Sequence, residues 1–105
     1  MFLVHWAAAQ VTSAGVITSA DDGFTAAISH VANSGDYTLT LTNAMDPTEF
    51  IALVLPVYFG LAVLTVAIPA ARLESDGVTL RINLRNVAGL PTDAGFAVVV
   101  SRLSP

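Results

Sequence analysis

The sequence predicts an all-β protein: a single antiparallel β-sandwich or jelly-roll-like domain that associates with copies of itself. Three observations carry that prediction. Two segments alternate with period two. Tyr37-Thr38-Leu39-Thr40-Leu41-Thr42 puts Tyr37, Leu39 and Leu41 on one face and threonines on the other, and Val78-Thr79-Leu80-Arg81-Ile82-Asn83-Leu84-Arg85 repeats the pattern. Clusters of Gly, Asp, Asn and Ser recur between the apolar segments. An uncharged run of 22 residues, Phe50 to Ala71, is broken by Pro56, Gly60 and Pro69.

Read by hydropathy alone, that run is a membrane helix of roughly 33 Å, at about 1.5 Å per residue. Pro56 would remove a helical hydrogen bond and kink the axis. The flanks carry Asp46 and Glu49 before the run and Arg72 and Glu74 after it, with almost no positive bias. The alternating strands on either side have no use in a single-span protein. The run therefore reads as two buried central strands, Phe50 to Leu55 and Leu61 to Ile68, joined through Pro56, Tyr58 and Gly60.

The other elements follow in order. Val11-Thr12 and Val16 to Thr18 flank Ser13-Ala14-Gly15 as a hairpin. Asp21-Asp22-Gly23 turns into a strand over Phe24 to Val31, and Asn33-Ser34-Gly35-Asp36 turns into the Tyr37 strand. Asn43 to Thr48, with Asp46-Pro47, ends that strand. Ser75-Asp76-Gly77 leads into the Val78 strand. A longer loop, Asn86 to Gly95, precedes a last strand over Phe96 to Arg102. Short strands at such spacing are those of a sandwich or jelly roll.

Composition bounds the partners. The 105 residues make one domain, 1–105, with 1–10 as an N-terminal arm. Hydrophobic residues are 54% and charged residues 11%, against about 25% charged in ordinary domains. A small domain leaves much of its surface in water, so neighbouring subunits or a membrane must hide the apolar excess. The net charge of −4, with four arginines and no lysine, argues against nucleic acid and against anionic lipid. The absence of cysteine excludes disulfides and thiolate metal sites. Met1 to Trp6 has no basic segment, and no secretion signal is expected.

Leu61 to Ile68 and Phe96 to Val100 are apolar on both faces. One face packs into the sandwich; a subunit interface is the simplest cover for the other. The expected interface residues are Leu61, Val63, Leu64, Val66, Ile68, Val98, Val99 and Val100.

Four segments in sequence carry a resemblance. Gly35 to Asp46 (GDYTLTLTNAMD), Asp76 to Ile82 (DGVTLRI), Asp93 to Val100 (DAGFAVVV) and Trp6 to Ile17 resemble, in order, signature strands of small β-sandwich domains on bacteriophage fibres, spikes and capsid decorations. Tyr58 to Ala71 departs from them in being more apolar. The resemblance implies a homotrimer in the virion, with no catalytic site.

Little else in the chain points to chemistry. His5 and His30 are the only histidines, and neither has a second metal ligand at a useful spacing. Most of the aspartates stand in turns beside Gly or Pro, where Asx-turn formation accounts for them. No nucleophile elbow and no phosphate-cradling glycine pattern is present. The expectation is a non-enzyme without cofactor or metal.

Arg81, Asn83 and Arg85 share the polar face of one strand. They form either a solvated face or a row that docks an acidic partner, since arginine forks suit carboxylates. Phe2, Leu3 and Trp6 form an apolar N-terminal tip, either core or an arm on a neighbour.

The expected role is a bacteriophage structural protein. In the first reading it is a homotrimeric cement or decoration protein on the outer capsid surface, bound to the major capsid protein. The chain starts at Met1 and carries no heptads, collagen-like repeat or shaft, which fits a stand-alone protein. In the second it is the receptor-binding tip of a tail fibre or spike, in contact with tail proteins or a host receptor. In the third it is a small single-span membrane protein such as a holin.

Overall fold

The computed structural model describes residues 2–57 and 68–104. They form eight strands: β1 (Phe2–Val11), β2 (Ile17–Ala20), β3 (Phe24–His30), β4 (Asp36–Leu41), β5 (Phe50–Val57), β6 (Ile68–Leu73), β7 (Thr79–Arg85) and β8 (Gly95–Ser104), with a short 3-10 helix at Pro47–Glu49. The strands make two four-stranded antiparallel sheets. Sheet A has the order β2-β1-β8-β5 and sheet B the order β3-β4-β7-β6. The predicted β-sandwich is thus the observed fold.

Period-two alternation sets what each sheet puts inside. In sheet A, Ala7, Ala9 and Val11 of β1 lie opposite Val100, Val98 and Phe96 of β8, and all are buried. In sheet B, Tyr37 and Leu39 of β4 lie opposite Ile82 and Leu80 of β7, also buried. Phe24, Leu41, Met45, Val54, Leu73 and Leu84 complete one continuous core. The Tyr37 ring meets Phe96 edge-on at 4.9 Å between centroids, which links the two sheets near one end of the sandwich.

Turn chemistry lies where the Asp, Asn and Gly clusters stand. Asp46 Oδ1 accepts from the Thr48 amide at 2.9 Å and starts the short helix. Asp76 Oδ1 accepts from the amides of Val78 and Thr79 and launches β7. Gly35 has φ of +66°, and a Cβ there would collide with the Leu84 carbonyl oxygen.

Four expectations need correction. Residues 1–10 are not a separate arm, because Phe2–Val11 is strand β1, held between β2 and β8 in sheet A. Only its first residues project, with Phe2 and Leu3 exposed. Among the described residues β5 stands at the edge of sheet A and not at its centre, and its outward residues are open. Strand β6 begins at Ile68, where the second predicted strand was expected to end, and runs past the end of the apolar run to Leu73. Pro69 and Arg72 disguise it, but it too is an edge strand, where a proline removes no needed donor. Finally, Val98 and Val100 face the core at 0% exposure and cannot serve a subunit contact; of that group only Val99 faces outward. The predicted strand over Leu61 to Ile68, with the interface residues Leu61, Val63, Leu64 and Val66, lies outside the described residues apart from Ile68.

Leu80 is fully buried at the centre of sheet B. Leu80→Ala is expected to cost about 2–5 kcal/mol in urea unfolding, through lost transfer energy and a cavity. Gly35→Ala is expected to destabilise as well, because its positive φ and the Leu84 carbonyl both oppose a Cβ.

Candidate functional site

The two inner faces make the core, which leaves the outer faces, the sheet edges and the loops as surface. The two outer faces differ sharply in chemistry. On sheet A, the outward residues of β5 are Ile51, Leu53 and Leu55, with 39%, 56% and 53% of their surfaces exposed. They lie in register with Ser101, Val99 and Ala97 of β8. Val99 and Ala97 lie in turn beside Ala8 and Gln10 of β1, and Gln10 beside Ser19 of β2. No formal charge stands on these rows. Beside β5 the face falls away into a depression of about 370 Å³ lined by Ala8, Gln10, Ser19, Asp21, Ala97 and Val99.

On sheet B, the outward row crosses Thr38 of β4, Arg81 of β7 and Arg72 of β6. The next row crosses Asp36, Asn83 and Ala70. The charges here are largely matched within the chain. Glu74 Oε1 accepts from Arg72 Nη2 at 3.0 Å and also from Arg81 Nε. The Arg81 hydrogen bond is the main reason the Glu74 carboxyl lies below its ordinary value, with Arg72 adding to it. Asn83 Nδ2 donates to Asp36 Oδ1. A groove of about 550 Å³ runs between these side chains. Arg85 is exposed and in no ion pair among the described residues.

Of the residues read as partner-binding, Arg81, Asn83 and Arg85 do share this face, but Arg81 and Asn83 are already engaged. Phe2 and Trp6 do not form one tip. β1 shifts register between His5 and Ala7, and Trp6 turns so that its Nε1 donates to the Asn43 carbonyl at 3.4 Å. The Arg102 guanidinium lies 5.7 Å from the Trp6 ring centroid, a cation–π contact. Phe2 is 68% exposed at the strand end.

Both histidines are fixed by aspartates. His5 Nε2 meets Asp21 Oδ2 at 2.6 Å on the surface. The side chain of His30 is buried: its ring stacks on Tyr37 at 4.0 Å, Nδ1 meets the Asp36 carbonyl at 2.7 Å and Nε2 meets Asp93 Oδ2 at 3.2 Å. Asp93 also accepts from the amides of Asn33 at 2.7 Å and Gly35 at 2.9 Å. It therefore clasps the β3–β4 turn from the far end of the chain. Sequence reading placed Asp93 in a local turn; nothing in its neighbours signals partners some 60 positions away. The Tyr37 hydroxyl, donating to the Ser13 carbonyl at 2.6 Å, ties the β1–β2 turn to the same node. Burial and the nearby Asp93 charge push its pKa up to about 12.

Among the described residues no group of three metal-ligating side chains comes together, and no helix is long and apolar enough to cross a membrane. Comparison of the chain with protein families, curated proteins and solved structures finds no match.

The clasp gives stability a defined pH dependence. Burial alone would raise the Asp93 carboxyl, but the Asn33 and Gly35 amides and the His30 ring outweigh it and hold it below its ordinary 3.8. A depressed folded-state value contributes stability above the unfolded value, and that stability is lost as pH falls through the folded one. Asp93→Asn is expected to lower the melting temperature at neutral pH and to flatten the loss of stability below pH 3.8. Thermal melts of both proteins across pH 2–6, roughly spanning the carboxylate range, check this.

Proposed function

We propose that this protein is a structural component of a bacteriophage particle, most specifically a homotrimeric cement or decoration protein on the outer capsid surface. The observation that carries the reading is the segregation of the two outer faces. Sheet A turns outward an uncharged face with Ile51, Leu53 and Leu55 open, while the arginines 72, 81 and 85 lie on sheet B. A protein that must both associate with itself and adhere to a second surface needs two faces of different chemistry. The apolar one suits the permanent contact between copies. The polar one suits a contact made on an already folded partner. The four segments that resemble phage sandwich domains support the same reading.

In this role the protein would act by mass action. Copies bound across boundaries between capsid subunits favour the assembled shell over the dissociated one. Arg85, exposed and without an intrachain ion pair among the described residues, is the side chain on sheet B best placed to meet an acidic patch on the major capsid protein. The tail-tip alternative has less support, because the three loops Ser13 to Gly15, Asn33 to Gly35 and Asn86 to Gly89 lack the aromatic anchors of a receptor hot spot.

Two measurements test the proposal. Gold-labelled antibody on purified particles is expected to decorate heads; label confined to tails would favour the tip role, and particles without label would remove the virion role. Particles lacking the protein are expected to assemble but to release DNA at a lower temperature, and equal heat stability would remove the cement mechanism. Arg85→Ala is expected to lower head occupancy in a binding titration without altering the protein's own melting temperature.

A further inference from the structure

We propose that the outer face of sheet A is covered by copies of this chain, with the β5 ridge of one copy seated in the β1–β8 trough of the next. The inference deepens the self-associating reading above by naming the surface and its mode of contact.

The first observation is relief. β5 raises Ile51, Leu53 and Leu55 in one row along the edge of the sheet. Toward β1 the same face drops to Ala8 and Ala97, where a depression of about 370 Å³ opens. The register places Leu53, Val99 and Ala8 on one line across the sheet, and Leu55, Ala97 and Gln10 on the next. A ridge of Leu and Ile and a trough floored by Ala thus lie side by side on one molecule. Each half fits the other half on a neighbour, as sheets that pack face to face interdigitate their side chains. Such a contact joins unlike halves, so it can close into a ring, a trimer included.

The second observation is charge. β5 contains no ionisable residue, and neither do the outward positions Ala97, Val99 and Ser101 of β8. The one carboxylate at the rim, Asp21, is held by His5 and by the amides of Ala8 and Gly23. Packing copies together therefore sets no like charges against each other and strips water from no unpaired ion. A lipid surface fits less well. The net charge is −4, arginines 72, 81 and 85 belong to sheet B and Arg102 lies over Trp6, which leaves no ring of cations around this face for anionic headgroups.

The chain's lack of cysteine makes the test direct. In one molecule Ala8 and Leu53 are two strands apart, with Val99 between them. That is roughly 10 Å, at about 4.8 Å per strand, and beyond the reach of a disulfide. In the double variant Ala8→Cys with Leu53→Cys, any disulfide between the two sites must join different copies.

On mild oxidation of the purified protein, non-reducing electrophoresis is expected to show covalent oligomers from the double variant. Each single variant is expected to stay monomeric on the gel. No oligomer from the double variant would overturn the contact, and an equal product from Leu53→Cys alone would replace it with ridge on ridge. Independently, Leu53→Asp, at a position more than half exposed, is expected to keep β-type circular dichroism while light scattering shows dissociation. A wild-type protein monomeric at tens of micromolar by the same measurement would also overturn it. A covalent closed dimer would keep the contact and refute only the trimer of the preceding section, and the particle-labelling result bears on the virion role alone.

Discussion

A sandwich of two sheets has four faces, and the structure of this protein depends on how few of them can meet water. The two inner faces are dry, with Tyr37, Leu80, Phe96 and Val98 fully buried. In an ordinary antiparallel sandwich both outer faces are polar, because each strand alternates. Here only sheet B obeys that rule: β4 and β7 place Thr38, Thr40, Arg81 and Asn83 outside. In sheet A the outward phase of β1, β5 and β8 is small or apolar apart from Gln10, so the sheet resembles one that is covered on both sides. Apart from Arg102 near the end of β8, the charged residues that an 11% share allows are gathered in turns and on sheet B. Sheet A is left with Ile51, Leu53 and Leu55 open on its outer face.

Because the outer face of sheet A contributes no polar network, the polar interactions that organise the fold concentrate at the sandwich ends. One end is organised by the node of Tyr37, His30 and Asp93. Tyr37 reaches the β1–β2 turn with its hydroxyl, Phe96 with its ring edge and His30 with its ring face. Asp93 closes the node by accepting from the Asn33 and Gly35 amides. Asn33, with φ of +65°, and Gly35 both sit in left-handed backbone there. The carboxylate offsets part of that conformational cost by satisfying two amides that the turn leaves without strand partners. At the other end, Trp6 and Arg102 do comparable work with a cation–π contact and a hydrogen bond to the Asn43 carbonyl.

The legibility of this fold in its sequence follows from the range of each signal. Alternation is local, so β4 and β7 were readable almost to the residue, as were turns whose Asp caps amides two or three positions on. Strand order is not local. Alternation says which residues share a face but not which strand lies beside which, so the apolar Phe50 run read as central strands although β5 and β6 stand at edges. β6 was missed because Pro69 and Arg72 look like a break, and only its edge position makes them harmless. The same limit hid the Asp93 clasp and the trough. Ala8 and Ala97 carry no signal in a sequence; they become a floor only when β1 and β8 pair beside the taller β5. Val98 and Val100 could be told from Val99 only once the phase of β8 against β1 was known.

The masking of charge on sheet B bears on how the two proposed contacts would differ. Arg72 and Arg81 are both turned onto Glu74, and Asn83 onto Asp36. A partner docking there would compete with existing pairs for all but Arg85, and exposed pairs of this kind contribute little when rearranged. Contact through sheet B would accordingly be electrostatic, adjustable and sensitive to salt. Contact through sheet A would remove apolar surface from water, with little dependence on salt and a heat-capacity signature. In the proposed arrangement, a molecule with one face of each kind would associate with its own copies first and keep its polar face free for a surface of different chemistry. That order suits a subunit added to the outside of a shell already built.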